Sequence, residues 1–291
     1  MKKLLVPCDG SESAAHAVRH AAARAAAEPA TAIHLLHVIQ PMTAVALSEA
    51  LSSDRLDERF PPQAAMALEP ALAALGQVGI PCALHCRFGA PAGEIAACAH
   101  DTACDEVIMG TRRRGALASL VLGSVTAAVA ALVDLPLTVV GEAPRPAADD
   151  AAQKILVPLD GSESAQRALR YAAAHAGARP GMRLELLHVL DPTTSRAYLG
   201  LTPQELAHHA PEAFHHVLRP ARAFLDSAGI RYETHCRVGD PATQIAGHLA
   251  DAGSAGVVMG TRGLGAAGNL LLGSVASRVV YYAHVPVTLV K

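Results

Sequence analysis

The chain has 291 residues, 51% of them hydrophobic and 17% charged, and its 24 basic and 26 acidic side chains leave a formal charge of −2. That apolar content excludes a disordered chain, and the length suits two domains better than one. The balanced charge and an aromatic content of 3% without Trp exclude a general nucleic-acid binder, which needs a basic face and stacking surfaces.

From the start of the chain, Leu4 to Cys8 is too short for a signal-peptide core before Asp9 arrives. Six cysteines (Cys8, Cys82, Cys86, Cys98, Cys104 and Cys236) form no CxxC pair, and five fall in the first half. They fit a reducing compartment, and the cytoplasm is the expected location. Short Leu-rich or β-branched runs then alternate with Ala-rich periodic ones. The pattern predicts strands at Lys3–Pro7, Ile33–Ile39, Ala83–Phe88, Glu106–Met109 and Leu135–Val140. It predicts helices at Ser13–Ala27, Pro62–Gln77, Pro91–His100 and Ser124–Val133. The uncharged stretch from Gly115 to Val133 approaches the length that spans a bilayer. Its counterpart in the second half contains Asn269 and Arg278, so both read as buried soluble structure and no membrane partner is expected.

The second half repeats the first. Leu5 to Ala25 and Leu156 to Ala176 agree at 15 of 21 positions at an offset of 151. LLHVIQP (35–41) matches LLHVLDP (186–192), and HCRFGAP (85–91) matches HCRVGDP (235–241) at an offset of 150. MGTR and LGSV each recur as well. A period this long is a domain duplication rather than a solenoid. The expected domains are 1–141 and 154–291, joined by an Ala-, Pro- and Asp-rich linker at 142–153. Apolar strands alternating with helices make each an α/β domain, doubly wound around a parallel sheet. Ligands of such sheets bind beyond the carboxyl ends of the strands.

The first strand of each copy runs into Pro7-Cys8-Asp9-Gly10-Ser11 or Pro158-Leu159-Asp160-Gly161-Ser162. An Asp there can accept hydrogen bonds from a sugar hydroxyl or base amine. It can equally belong to a turn before a helix capped by Ser13 or Ser164. The fourth strand of copy two is followed by Gly260-Thr261-Arg262-Gly263, nine more residues and Gly273-Ser274. Glycines admit close approach of phosphate oxygens, a helix start attracts anions, and Arg262 adds positive charge. No acidic residue occurs from Gly260 to Lys291, so a phosphate site is the expectation. Gly263 to Gly268 spells GxGxxG, but no acidic residue follows for a ribose and copy one has no match, which excludes the NAD reading. There is no GxxxxGK[ST] and hence no P-loop.

These residues resemble the universal stress protein family, in a tandem form of its A-type domain. The opening VPxDGS, the LLHV strand and the loop G-2x-G-9x-G-[ST] carry the resemblance over both copies. It implies a Rossmann-like fold related to adenine nucleotide alpha hydrolases, with strand order 3-2-1-4-5. It implies ATP as the ligand, with or without Mg²⁺. Asp160 and the Val189 backbone would hold the adenosine, flanked by Pro158, Leu159 and Met259. Gly260, Arg262, Gly263, Gly273, Ser274 and Val275 would hold the phosphates. It also implies pairing through fifth-strand edges, between the two domains or between two chains. In copy one, Asp9, Val38, Gly110, Arg112, Gly123, Ser124 and Val125 stand in place, but Arg113 replaces the second glycine. Its side chain either blocks the backbone approach or, with Arg112 and Arg114, pairs with phosphates directly.

Phosphoryl transfer needs a metal clamp and a positioned base, and the phosphate loop of copy two offers neither. Binding without catalysis is expected, with slow hydrolysis left open. The mechanism would be a switch, in which ATP orders the loop and last helix and so changes what a partner meets. Two alternatives stand beside it: a nucleotide-free interaction scaffold, or a zinc protein using Glu205, His208, His209, Glu212, His215 and His216. Pro211 is expected to interrupt that last face, and no metal ligand is assigned. The His85-Cys86 and His235-Cys236 pairs lie on strands, where neighbours point to opposite faces and cannot easily share one metal.

Overall fold

The computed structural model describes residues 1–28, 30–40, 61–76, 79–111, 123–141, 154–179, 181–193, 203–263 and 272–291. The chain divides into two compact units, one carrying β1–β5 and the other β6–β10. In the first, the order is β1 (Lys2–Pro7), α1 (Glu12–Ala27), β2 (Thr31–Ile39), α2 (Pro62–Gly76), β3 (Cys82–Phe88), α3 (Pro91–Asp101), β4 (Glu106–Gly110), α4 (Ser124–Leu132) and β5 (Leu137–Val140). The second runs β6 (Lys154–Pro158), α5 (Glu163–Gly177), β7 (Arg183–Leu190), α6 (Pro203–Ser227), β8 (Tyr232–Val238), α7 (Pro241–Ala252), β9 (Gly256–Gly260), α8 (Ser274–Tyr282) and β10 (Val287–Val290).

Within each unit the strands are parallel, ordered β3-β2-β1-β4-β5 and β8-β7-β6-β9-β10. This is the 3-2-1-4-5 order, with the direction of winding reversing between β1 and β4 and again between β6 and β9. Asp9 and Asp160 stand just beyond the first strand at those reversals.

Alternation along each strand sorts side chains to two faces. In the first unit Leu4, Val6, Ile33 and Leu35 meet Ala17, Val18 and Ala21 of α1 and Leu68 and Leu75 of α2. In the second, Val157, Leu184 and Leu186 meet Ala168, Leu169 and Ala172 of α5 and Leu218 and Leu225 of α6. The alanine-rich inner faces of α1 and α5 let these helices lie against the strand ends. A β-carbon on Gly110 would fall 2.0 Å from the Ser13 carbonyl oxygen, and one on Gly260 would fall 2.5 Å from Ser164 Oγ. Both glycines are therefore demanded by helix packing, whatever the following loop binds.

The differences from the sequence reading are local. β5 begins at Leu137 rather than Leu135, because Pro136 has no N–H for the ladder and offers only its carbonyl, to Val107 N at 3.0 Å. The caps are Ser11 and Ser162, not Ser13 and Ser164. Their hydroxyls accept from Ala14 N at 3.3 Å and Ala165 N at 3.2 Å. The helices start at Glu12 and Glu163, so an Oγ three residues before the receiving N–H has the right reach. Pro211 does not end α6, which runs through both Pro211 and Pro220. Pro211 is exposed, so water can reach the carbonyl that a proline leaves without a helical donor. Among the described residues no helix is long and apolar enough to cross a membrane. Among its described residues the uncharged stretch contributes α4, nine residues long.

Candidate functional site at the carboxyl ends of the strands

The turn after β6 is built in layers. Leu159 N donates to Leu187 O at 2.8 Å and so prolongs the β6–β7 ladder past Pro158. Continuing that register brings Asp160 level with Val189. Gly161, at φ +89°, reverses the chain. Asp160 Oδ1 accepts from Ser162 N at 2.9 Å, which fixes the carboxylate against the turn. Ser162 then caps α5.

His188 is a residue that the sequence reading quoted but left without a role. Its Nδ1 lies 2.6 Å from the Leu159 carbonyl oxygen. An oxygen acceptor requires Nδ1 to carry the proton. Burial pushes the His188 pKa below its ordinary value, which favours that neutral ring. The ring also meets Phe214 edge-on at 5.6 Å. His188 thereby holds the backbone immediately before Asp160. His37 does the same in the first unit, with Nδ1 2.8 Å from Cys8 O. The signal was present: the same His recurs inside LLHV in both copies.

The loop after β9 closes onto this turn. Ser162 Oγ lies 3.4 Å from the Arg262 carbonyl oxygen, and Ser164 Oγ donates to the same oxygen. A β-carbon on Gly263 would sit 2.6 Å from Asp160 Oδ2, so a larger residue there would have to displace the Asp160 carboxylate. Gly273 N donates to Thr261 O at 2.7 Å, and a β-carbon on Gly273 would lie 3.1 Å from that oxygen. The end of the nine-residue gap thus returns to its beginning. Gly273 is the N-cap of α8 and brings no side chain to cap it. Ser274 is exposed, Val275 half-buried, and Arg262 exposed. Met259 is buried under the site.

The structure therefore joins Asp160, Arg262, Gly263, Gly273 and Ser274 around the ends of β6 and β9. Arg278 is not available to such a ligand. Its guanidinium grips the Asp240 carboxylate with two hydrogen bonds of 2.7 Å.

In the first unit, Asp9 Oδ1 accepts from Ser11 N at 3.0 Å, and Gly10 takes φ +78°. Gly123 caps α4, and Ser124 is exposed. Val38 and Val125 are half-buried. Arg112 and Arg113 lie outside the described residues, as does the stretch from Leu264 to Gly268. Cys8 takes the place of Leu159, and burial pushes its thiol up to about 12, so it packs as an apolar group rather than a nucleophile.

The His-rich candidate fares differently. Glu205, Glu212, His215 and His216 are all exposed on α6, while the side chains of His208 and His209 lie outside the described residues. On β8, Cys236 is exposed and His235 faces the other side of the sheet.

Doubly wound parallel domains take their ligands beyond the carboxyl ends of the strands, where the strand order reverses, and the glycine-lined loop faces the first strand's Asp at that place. The particular family follows from comparison. The Universal stress protein family profile matches residues 1–141 and 151–291. A universal stress protein of Thermus aquaticus is 39% identical over 144 residues, covering 47% of this chain and 97% of that protein. Universal stress protein YxiE of Bacillus subtilis is 29% identical over 146 residues, covering 47% of this chain and 98% of that protein. The crystal structure of a universal stress protein from Archaeoglobus fulgidus superposes with a TM-score of 0.73 at 21% identity, covering 99% of this chain and 98% of that one. The chain belongs to the universal stress protein family, with two family domains in tandem.

Proposed function

We propose that the second domain binds ATP and that the protein acts as a nucleotide-dependent switch rather than as an enzyme. The observation that carries this reading is the closure of Gly263 on Asp160, where a single β-carbon would collide with Oδ2 at 2.6 Å. It creates one site with a carboxylate on one side and backbone with a helix start on the other. Asp160 suits the adenosine hydroxyls or amine. The first N–H groups of α8, the Gly263 backbone and the Arg262 guanidinium suit the phosphates.

The residues fit this group chemically, because no acid between Gly260 and Lys291 repels it. Bound ATP would supply a dense negative charge on that loop and helix. The residues of this chain would then bind, orient and be held by it. Among the described residues Asp160 is the one carboxylate at the site and is assigned to the adenosine, which leaves none of them to clamp Mg²⁺ or activate water. Mg²⁺ would arrive with the nucleotide.

The test is to denature freshly purified protein and identify any nucleotide released, with its molar ratio to chain. About one ATP per chain supports a loaded second domain. About two would extend the reading to the first domain despite Arg113. None, followed by no binding in an ATP titration, would replace the switch with a nucleotide-free scaffold. Amide exchange over residues 260–263 and 272–282, with and without ATP, then tests the switch itself.

A further inference from the structure

Three side chains of the second domain meet far from the proposed nucleotide site. Glu185 lies near the start of β7, His235 in the middle of β8 and His248 near the end of α7. Register explains the meeting. Glu185 pairs with Glu233 and Leu187 with His235, so Glu185 and His235 are diagonal neighbours on one face of the sheet. Helix α7 covers that face and lowers His248 onto it. Glu185 and Val189 are four residues apart on β7, about 13 Å at the strand rise, so the two sites are separate.

The geometry is that of a ligand set. His248 Nε2 lies 3.7 Å from Glu185 Oε2, and His235 Nε2 lies 3.9 Å from Glu185 Oε1. The three ligand atoms fall within 4.8 Å of one another. Tetrahedral zinc with bonds near 2.05 Å places its ligand atoms about 3.4 Å apart. Small rotations of the side chains would bring these atoms to that spacing. Both Nε2 atoms are buried and find no hydrogen-bond partner among the described residues. Two buried nitrogens in that condition, both turned toward one carboxylate, leave a place that a bound cation would fill. Ser254 Oγ donates to Glu185 Oε2 at 2.5 Å and fixes the carboxylate as outer partners do in metal sites.

We infer that Glu185, His235 and His248 form a site for one divalent transition-metal ion of the zinc class. Two imidazoles and a carboxylate suit zinc better than a hard cation such as Mg²⁺ or Ca²⁺. Three protein ligands leave a position for water or for Glu233, whose Oε2 stands 3.8 Å from His235 Nε2. Lys154 Nζ lies 3.6 Å from Glu185 Oε1, on a partly exposed side chain that can swing outward as the ion enters.

The first domain shows what the same positions do without an ion. The repeat counterparts of Glu185, His235 and His248 are His34, His85 and Cys98. There His34 Nδ1 and His85 Nε2 sit 3.0 Å apart and the rings stack, so the imidazoles satisfy each other. The ion therefore belongs to the second domain, at one per chain.

The test is a zinc titration of the chelator-treated full chain against a competing chromogenic chelator. One equivalent should bind, and His235→Gln should weaken it at least 10-fold, since even outer-partner changes cost that much. His235 is partly exposed, so the variant should fold. Replacing His215 and His216 together by Ala should change nothing. In the wild type, zinc should move the ring signals of His235 and His248 in nitrogen–proton NMR spectra. No stoichiometric binding would overturn the site, leaving a plain buried His–Glu pair. Unchanged affinity in His235→Gln, loss in the His215/His216 variant, or ring shifts elsewhere would overturn it as well. ATP release is read separately, so failure of one reading is distinguishable from failure of the other.

Discussion

The two domains keep one end of the sheet alike and re-equip the rest. At the carboxyl ends, Asp9, Ser11 and His37 make the hydrogen bonds that Asp160, Ser162 and His188 make. Elsewhere, among the described residues, each domain buries one carboxylate, on different strands. The first buries Glu106 on β4 and answers it with Arg24, with Thr138 Oγ1 at 2.6 Å and with Lys2 Nζ at 3.5 Å. The second has Gly256 there and buries Glu185 on β7, answered by two histidines, Ser254 and Lys154. A fixed guanidinium makes the first arrangement a closed ion pair. Imidazoles, which can bind a proton, a carboxylate or a metal, leave the second open to chemistry.

The largest expected effect lies in that pair. Replacing Arg24 by Met leaves Glu106 buried without its main partner and should destabilise the first domain by about 3–5 kcal/mol in urea unfolding. A loss under about 1 kcal/mol would mean that Lys2 and Thr138 suffice. Acid should expose the same residue. Burial works to raise the Glu106 pKa, but Arg24, Lys2 and Thr138 outweigh it and bring the group down to about 2 from 4.5. The unfolded chain takes up the proton first, so this stability is complete above about pH 5 and is lost as pH falls toward 2. Glu106→Gln should flatten that part of the profile. Glu185 is brought to about 2 as well, where His248, Ser254 and Lys154 outweigh burial. Some acid sensitivity should therefore persist in the second domain.

The paired glycines sharpen the contrast next. A methyl group on Gly110 would meet the Ser13 carbonyl at 2.0 Å, which is backbone and cannot turn away. On Gly260 the nearest atom is Ser164 Oγ at 2.5 Å, which can rotate, with backbone behind it at 2.8 Å. Gly110→Ala should cost more than Gly260→Ala, both within or above the roughly 1–3 kcal/mol of overpacked cores. Equal costs would show that the helices shift as bodies.

Much of this was legible in the sequence, because the duplication printed each strand twice. Parallel αβ winding followed from apolar runs such as Leu4–Val6 alternating with Ala-rich ones. The facing of Asp160 and the glycine loop followed from their places after β6 and β9. What escaped was what depends on register or reach. The expected cap, Ser164, falls two residues late, and only the true start of α5 at Glu163 reveals Ser162 as the cap. Gly260 read as a phosphate glycine, but its tight contact is with α5, invisible until the helix is placed. Glu185, His235 and His248 lie on three elements separated by 50 and 13 residues, and no linear pattern joins them. The available hint was a Glu inside the apolar run LELLHVL.

A middle-sized effect would tell the proposed nucleotide site of the second domain from its counterpart in the first. Asp160→Asn keeps the acceptor for Ser162 N but removes the charge. If Asp160 holds the adenosine through a charge-assisted bond, ATP affinity should fall about 10- to 100-fold. Asp9→Asn should leave the tightest ATP site unchanged, measured by the same calorimetric titration. The reverse pattern would move the main site to the first domain.

The smallest expected effect concerns a contact that only the second domain owns. Asp240 caps α7, accepting from Thr243 N at 3.0 Å, and the same carboxylate takes the Arg278 fork. That fork and cap together hold the Asp240 pKa far below the usual carboxylate range. The first domain has Ala90 and Ala128 at these positions and makes neither contact. The two parts of the contact should separate by salt. Asp240→Ala should cost about 1 kcal/mol for the cap, a local bond that salt leaves mostly intact. Arg278→Ala should cost at most about 1 kcal/mol at low salt, because the pair is half in water. That second cost should shrink toward zero as added salt screens the pair. If the Arg278→Ala cost survives salt, the guanidinium is acting through its contact over Tyr282, at 6.0 Å, rather than through charge pairing with Asp240.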